Sequence, residues 1–117
     1  MEIAKLFGNL TATQALMFLA RYEEGTAKEI SDAFKVSKTQ IYLQLVKLES
    51  AGIVSSRPMG NQIIYYFNPR SPIKNELRQL LEKYIETSMS KDQYKDFYLV
   101  RRRGRSRGKT LGGSYAR

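Results

Sequence analysis

The chain contains no cysteine and no histidine. Without cysteine there are neither disulfides nor thiolate metal ligands, and no cue for secretion. Without histidine, imidazole acid–base chemistry is excluded, and a metal site would have to be built from carboxylates alone. No run of about 18 apolar residues occurs, so no transmembrane segment is expected. The opening MEIAKLFGN lacks the long apolar core and cleavage signature of a secretory leader, and none is expected. The acids are scattered, Ser37, Ser71 and Ser90 sit at helix starts, and no Gly-rich phosphate loop follows a predicted strand. Neither an enzyme nor a cofactor-binding protein is expected.

What the chain does have is enough apolar residue, 42% of 117, for one folded core and too little length for two. Its formal net charge is +9. Residues 101–117, RRRGRSRGKTLGGSYAR, hold seven basic residues and no acid, leaving a net of only +2 for the hundred residues before them. Such a tail, Gly-rich and low in complexity, buries too little apolar surface to offset the entropy of ordering. A polyanionic partner is implied, either nucleic acid or an anionic membrane surface.

The most informative stretch is residues 37–54, SKTQIYLQLVKLESAGIV. Ser37 and Gln40 have the spacing of a capping box. Ile41, Leu45 and Leu48 recur on one helix face, while Lys38, Thr39, Tyr42, Gln44 and Lys47 fall elsewhere. Gly52 stands where a left-handed residue would end the helix. The helix thus pairs a buried face with one rich in hydrogen-bonding groups, and Glu49 is its one acid. That suits a nucleic-acid surface, and an ordinary amphipathic helix equally.

The neighbouring segments narrow the reading. Residues 1–8 carry Ile3, Leu6 and Phe7 on one side of an arm too short to be stable alone. Residues 11–22 read as a helix with Thr13 as its cap. Residues 26–34 read as another, opened by the box Thr26–Glu29. With residues 37–51 following a short turn, this is the helix-turn-helix pattern. Residues 53–57 and 63–68 read as two strands flanking the turn-forming Pro58-Met59-Gly60-Asn61-Gln62. Ser71 is expected to cap a long helix, with Pro72 at its first position. Along it Ile73, Leu77, Leu80, Leu81, Tyr84, Ile85 and Met89 form an apolar stripe. Ser90 and Gln93 predict one more helix over residues 91–100.

This order, carried by AKEISDAFKVSKTQIYLQLVKLESAGIVSSRPMGNQIIYYF, resembles the winged helix-turn-helix domain of bacterial and archaeal transcription regulators. The likeness is greatest to the ArsR type and weaker to the MarR type. It rests on Ile30, the Val36-Ser37 turn, Ile41, Leu45, Leu48, the exit Ala51-Gly52-Ile53-Val54, Gly60 and Tyr65-Tyr66-Phe67. The implied fold is mostly α with a small β-hairpin, a winged helix-turn-helix with C-terminal dimerisation helices. The domains expected are residues 1–70 for the winged helix and its arm, 71–100 for a helical dimerisation segment and 101–117 for the tail.

The resemblance also implies the site. The helix after the turn enters the major groove, so Ser37, Lys38, Thr39, Gln40, Tyr42, Leu43, Gln44 and Lys47 become candidate contacts to double-stranded DNA. Gln suits adenine, Thr a base edge or phosphate, and Tyr a phosphate. Many relatives have Arg and then His where this chain has Leu43 and Gln44. Arg57, Asn61 and Gln62 are the wing candidates, and Lys28 and Lys35 flank the turn as phosphate clamps. In the tail, Arg101, Arg102, Arg103, Arg105, Arg107 and Lys109 would add salt-dependent affinity. Metal-sensing relatives carry Cys and His on the helix matching residues 26–34; here that helix has neither, so no metal is expected.

A homodimer is expected, because one helix-turn-helix spans only a few base pairs. Its seam would draw on Ile3, Leu6, Phe7 and the Ile73–Met89 stripe. The leading function is a sequence-specific transcriptional regulator, a repressor, in the cytoplasm and on the nucleoid of a prokaryote, its plasmid or its virus. A non-specific architectural protein coating DNA is the alternative. A winged-helix interaction module with an RNA- or membrane-binding tail is a further one.

Overall fold

The computed structural model describes residues 3–88, and its core is organised around α2, Leu10–Tyr22. That helix is apolar on nearly every side, and such a helix must be enclosed. Ala15, Leu16, Met17, Phe18, Leu19, Ala20 and Tyr22 are all buried. Around α2 lie α1 (Ile3–Phe7), β1 (Glu24–Gly25), α3 (Ala27–Phe34), α4 (Lys38–Ser50), β2 (Val54–Met59), β3 (Gln62–Phe67) and α5 (Lys74–Ser88). Ile30 of α3, Ile41 and Leu45 of α4, Tyr65 and Phe67 of β3, and Leu81 and Ile85 of α5 close the core over α2. Each fully enclosed Leu, Ile or Phe contributes about 1.5–3 kcal/mol relative to an exposed one. The winged-helix class expected from the sequence is the class observed.

The helix starts follow local chemistry, with one cap displaced from its expected position. α2 is capped by Asn9, whose extended backbone lets its side-chain oxygen accept from the Ala12 amide at 2.8 Å. Thr13 is instead enclosed inside the helix, its hydroxyl donating back to the Asn9 carbonyl at 2.6 Å. α3 opens on the full capping box, with Thr26 and Glu29 each accepting from the other's amide at 3.0 Å. It stops at Lys35, which takes the left-handed conformation (φ 57°). Two residues later Ser37 accepts from the Gln40 amide at 3.3 Å and starts α4. α4 ends at Ala51, and Gly52 follows at φ +80°, where a Cβ would be strained.

β2 and β3 form the hairpin, in register Val54↔Phe67 through Met59↔Gln62. Its strands run closer to the tip than expected, because Pro58 and Met59 pair within the ladder and only Gly60 and Asn61 remain as the turn. Pro58 is tolerated there because β2 is an outer strand of the sheet, whose order is β1-β3-β2. The third strand, β1, was not expected: Glu24 and Gly25 pair with Tyr66 and Tyr65. At the foot of the hairpin, Asn68 donates its amide side chain to the Gly52 carbonyl at 2.9 Å and its backbone N–H to Ile53 at 3.0 Å.

α5 begins at Lys74 rather than at Pro72. Ser71 accepts from the Ile73 amide on its hydroxyl (3.4 Å) and from the Lys74 amide on its carbonyl (3.2 Å), so Pro72 and Ile73 form a turn before the helix. The expected helix over residues 91–100 and the basic tail lie outside the described residues.

Candidate nucleic-acid interface

α4 is held by its apolar side and presents the rest. Ile41 and Leu45 are fully buried, and Leu48 packs at the edge of the core. At about 100° per residue, the line directly opposite is Thr39, Leu43 and Ser50, with Val46 and Lys47 about equally far to its two sides. All five are exposed, as are Ser37, Lys38, Gln40 and Tyr42. Seven of the eight sequence candidates on and before α4 therefore share one accessible surface. Gln44 is the exception. It is half-buried, and its side-chain oxygen accepts from the Asn9 amide group at 3.3 Å, on the side facing α2. Val46 was missed, although its spacing from Ile41 and Leu45 already places it away from the core.

The electrostatics of this surface are simple. Lys38 and Lys47 are its cations. Glu49, the one acid of α4, accepts from the Ser56 hydroxyl of β2 at 2.7 Å, which holds the carboxylate against the hairpin. Beneath the helix, burial pushes the Tyr65 phenol above its ordinary range, and Tyr42 and Glu49 add to the shift. Tyr65 is therefore an uncharged strut at neutral pH, not an acid or base.

On the hairpin, Asn61 and Gln62 stand exposed at the tip. Arg57 lies further back, opposite Ile64. It donates to Glu24 of β1 at 3.0 Å and lies over the Tyr66 ring, 5.3 Å from its centroid. Lys28 is also engaged, donating to Asp32 one helical turn on at 2.9 Å, with both side chains largely exposed; such a pair is weak and easily exchanged. Lys35 is exposed at the turn between α3 and α4.

The residues expected at a dimer seam divide. Ile3, Leu81 and Ile85 are buried in the chain's own core, and Leu77 and Tyr84 pack against its margin. Leu6, Phe7, Ile73 and Leu80 are exposed, and Met89 lies outside the described residues. Among the described residues, no group of three or more His, Cys, Asp or Glu side chains could hold a metal, and no helix is long and apolar enough to cross a membrane.

A helix-turn-helix presenting an exposed, mildly basic helix beside a β-hairpin defines a winged-helix domain. The chain belongs to the TrmB family: residues 9–72, more than half of it, match the family described as "Sugar-specific transcriptional regulator TrmB". Among solved structures it is similar to the apo form of a ZitR mutant from Lactococcus lactis, with a TM-score of 0.51 and 22% identity over 84% of this chain and 83% of that one. At that identity the likeness shows the fold alone. No curated protein sequence matches the chain.

Proposed function

We propose that this chain is a homodimeric, sequence-specific repressor that places α4 in successive major grooves of a short pseudo-palindrome. The observation that carries the proposal is the outward surface of α4. It gathers Lys38, Thr39, Gln40, Tyr42, Leu43 and Lys47, while the helix's one acid is tied to Ser56. Lys38 stands in the first turn of α4, where the helix dipole disfavours a cation. A phosphate at that point would relieve the cost and use the open N–H groups as well. Asn61 and Gln62 would follow the backbone or minor groove as a wing, and Lys28 and Lys35 would meet phosphates beside the turn.

The ArsR-type likeness of roughly residues 10–67 supports the same docking. The family match ends at residue 72, just before α5, so it bears on the DNA-facing half. The sugar specificity in the family's description has no assigned residues here. The exposed Leu6, Phe7, Ile73 and Leu80 supply the seam between copies. The tail, residues 101–117, adds phosphate contacts, and the protein acts as a binder, not a catalyst, in the cytoplasm of a prokaryote, its plasmid or its virus.

The test is duplex binding by the full chain between about 50 and 200 mM salt, followed by footprinting. The expected result is salt-steep binding with two discrete protected half-sites one helical turn apart. Uniform protection would favour an architectural coat. Binding to single-stranded RNA or anionic vesicles with no duplex affinity would overturn the proposal.

A further inference from the structure

The outward side of α4 is apolar at its middle, where a groove-reading helix most often carries guanidinium or amide groups. Leu43 and Val46 are 45% and 40% exposed, and the flanking Tyr42 is 49% exposed. Thr39 precedes them on the same line, one turn earlier, and adds a methyl beside its hydroxyl. None of these side chains is needed by the core, which takes Ile41 and Leu45 from the other side of the helix. Exposed apolar residues scattered singly need no explanation. Leu43 and Val46, with the Thr39 methyl in register before them at i, i+4 and i+7 and Lys47 on the other flank of Leu43, make a surface with a chemistry of its own.

Resting on the function proposed above, we infer that this line reads thymine C5-methyl groups, so that the preferred half-site is A·T-rich under Thr39, Leu43 and Val46. Guanine shows two acceptors in the major groove and is met by Arg or Lys. At the centre of this helix surface there is neither. Thymine is the base whose groove edge carries an apolar group, and branched or methyl-bearing side chains are its complement. Gln40, exposed one position along from Thr39, can take the paired adenine through its N6 and N7. Lys38 and Lys47 lie to the sides, towards the phosphates, and contribute affinity without sequence. The apolar centre and the basic flanks are thus the two halves of one interface.

The experiment uses the full chain and duplexes that it selects from a random pool. The selected sequences are remade with deoxyuridine in place of every thymine, which removes the methyl and keeps the base pairing. Binding is compared at about 50 mM salt, where phosphate contacts hold even a weakened complex. The expected result is a loss of about three- to fourfold for each contacted methyl removed, hence about tenfold for two. Leu43→Ala and Val46→Ala are each expected to shrink the difference between the thymine and uracil duplexes, and together to remove most of it; exposed positions such as these leave the fold intact, as a thermal melt will verify. Equal binding of both duplexes by the unaltered chain overturns the inference but leaves DNA recognition standing. So does a uracil loss that persists in the double variant, since that loss would belong to DNA shape. Selected half-sites with G·C under the line overturn it too. If no duplex is enriched at all, the function proposed above fails first, and this inference with it.

Discussion

Arg57 and Glu24 join the hairpin to the first strand, with a guanidinium nitrogen 3.0 Å from the carboxylate and the ring of Tyr66 beneath. The carboxylate is mostly shielded, 14% exposed, and the arginine side chain is 47% exposed. The basic residue expected to serve the wing is therefore already engaged by an acid of its own chain. Glu24→Gln is expected to release Arg57 toward phosphate. Duplex affinity should rise, and the slope of log K against log salt should steepen by about 0.9. A titration across salt concentrations checks both, and an unchanged slope would mean that Arg57 stays with Tyr66.

Gly25 is required for its missing side chain. A Cβ there would stand 2.5 Å from Cε1 of Phe18, and Phe18 is fully buried at the centre of α2. The enclosed ring must shift against its neighbours, so Gly25→Ala should cost about 1–3 kcal/mol as an overpacked core. Urea unfolding should show a lower midpoint, with the loss reduced when Phe18 is also changed to Leu.

Asn9 both caps α2 and donates to Gln44 of α4. Asn9→Ala should lower stability by about 0.5–2 kcal/mol, as cap removal does. Asn9→Ser should restore most of it, because Ser caps equally well, while losing the reach to Gln44. If stability followed the Gln44 contact instead of the cap, Ser would behave like Ala.

Glu82 gives the fold a pH dependence with a definite sign. Burial raises its carboxyl pKa, outweighing the opposing pull of Arg21 and Arg78, with Glu86 and Glu23 adding to the rise. A carboxyl that holds its proton more tightly when folded stabilises most at low pH. That contribution is lost as pH climbs through the ordinary carboxylate range to the raised folded value. Glu82→Gln should therefore flatten the stability profile across that window and leave the variant no less stable at neutral pH. Thermal melts from acid to neutral pH read this directly.

Most of the architecture was legible because its signals are local. Ser37, Ile41, Leu45 and Gly52 together mark the start, buried face and end of α4, and each did what its chemistry predicts. β1 was not legible, since two residues have no periodicity and its pairing to Tyr65 and Tyr66 is decided in space. Thr13 read as a cap because a hydroxyl before an apolar run usually is one. Only the enclosure of α2 on all sides makes it an interior residue and passes the cap to Asn9. At the candidate interface, the type of residue was legible and its partner was not. Neither the Arg57–Glu24 pair nor the contact that turns Gln44 toward α2 has a sequence signature, because each joins positions more than thirty residues apart.

α2 touches α1, α3, α4, α5, β1 and β3, and its enclosure has a consequence for control. α4 and the hairpin beside it are packed on one shaft, the first through Ile41 and Leu45, the second through β1. They also pack on each other directly, so neither can bend away from the other without breaking that contact. If two copies grip two half-sites, switching such a protein off calls for changing the span or the twist between the copies. It would work like a pair of callipers whose jaws are rigid and whose only adjustable part is the joint.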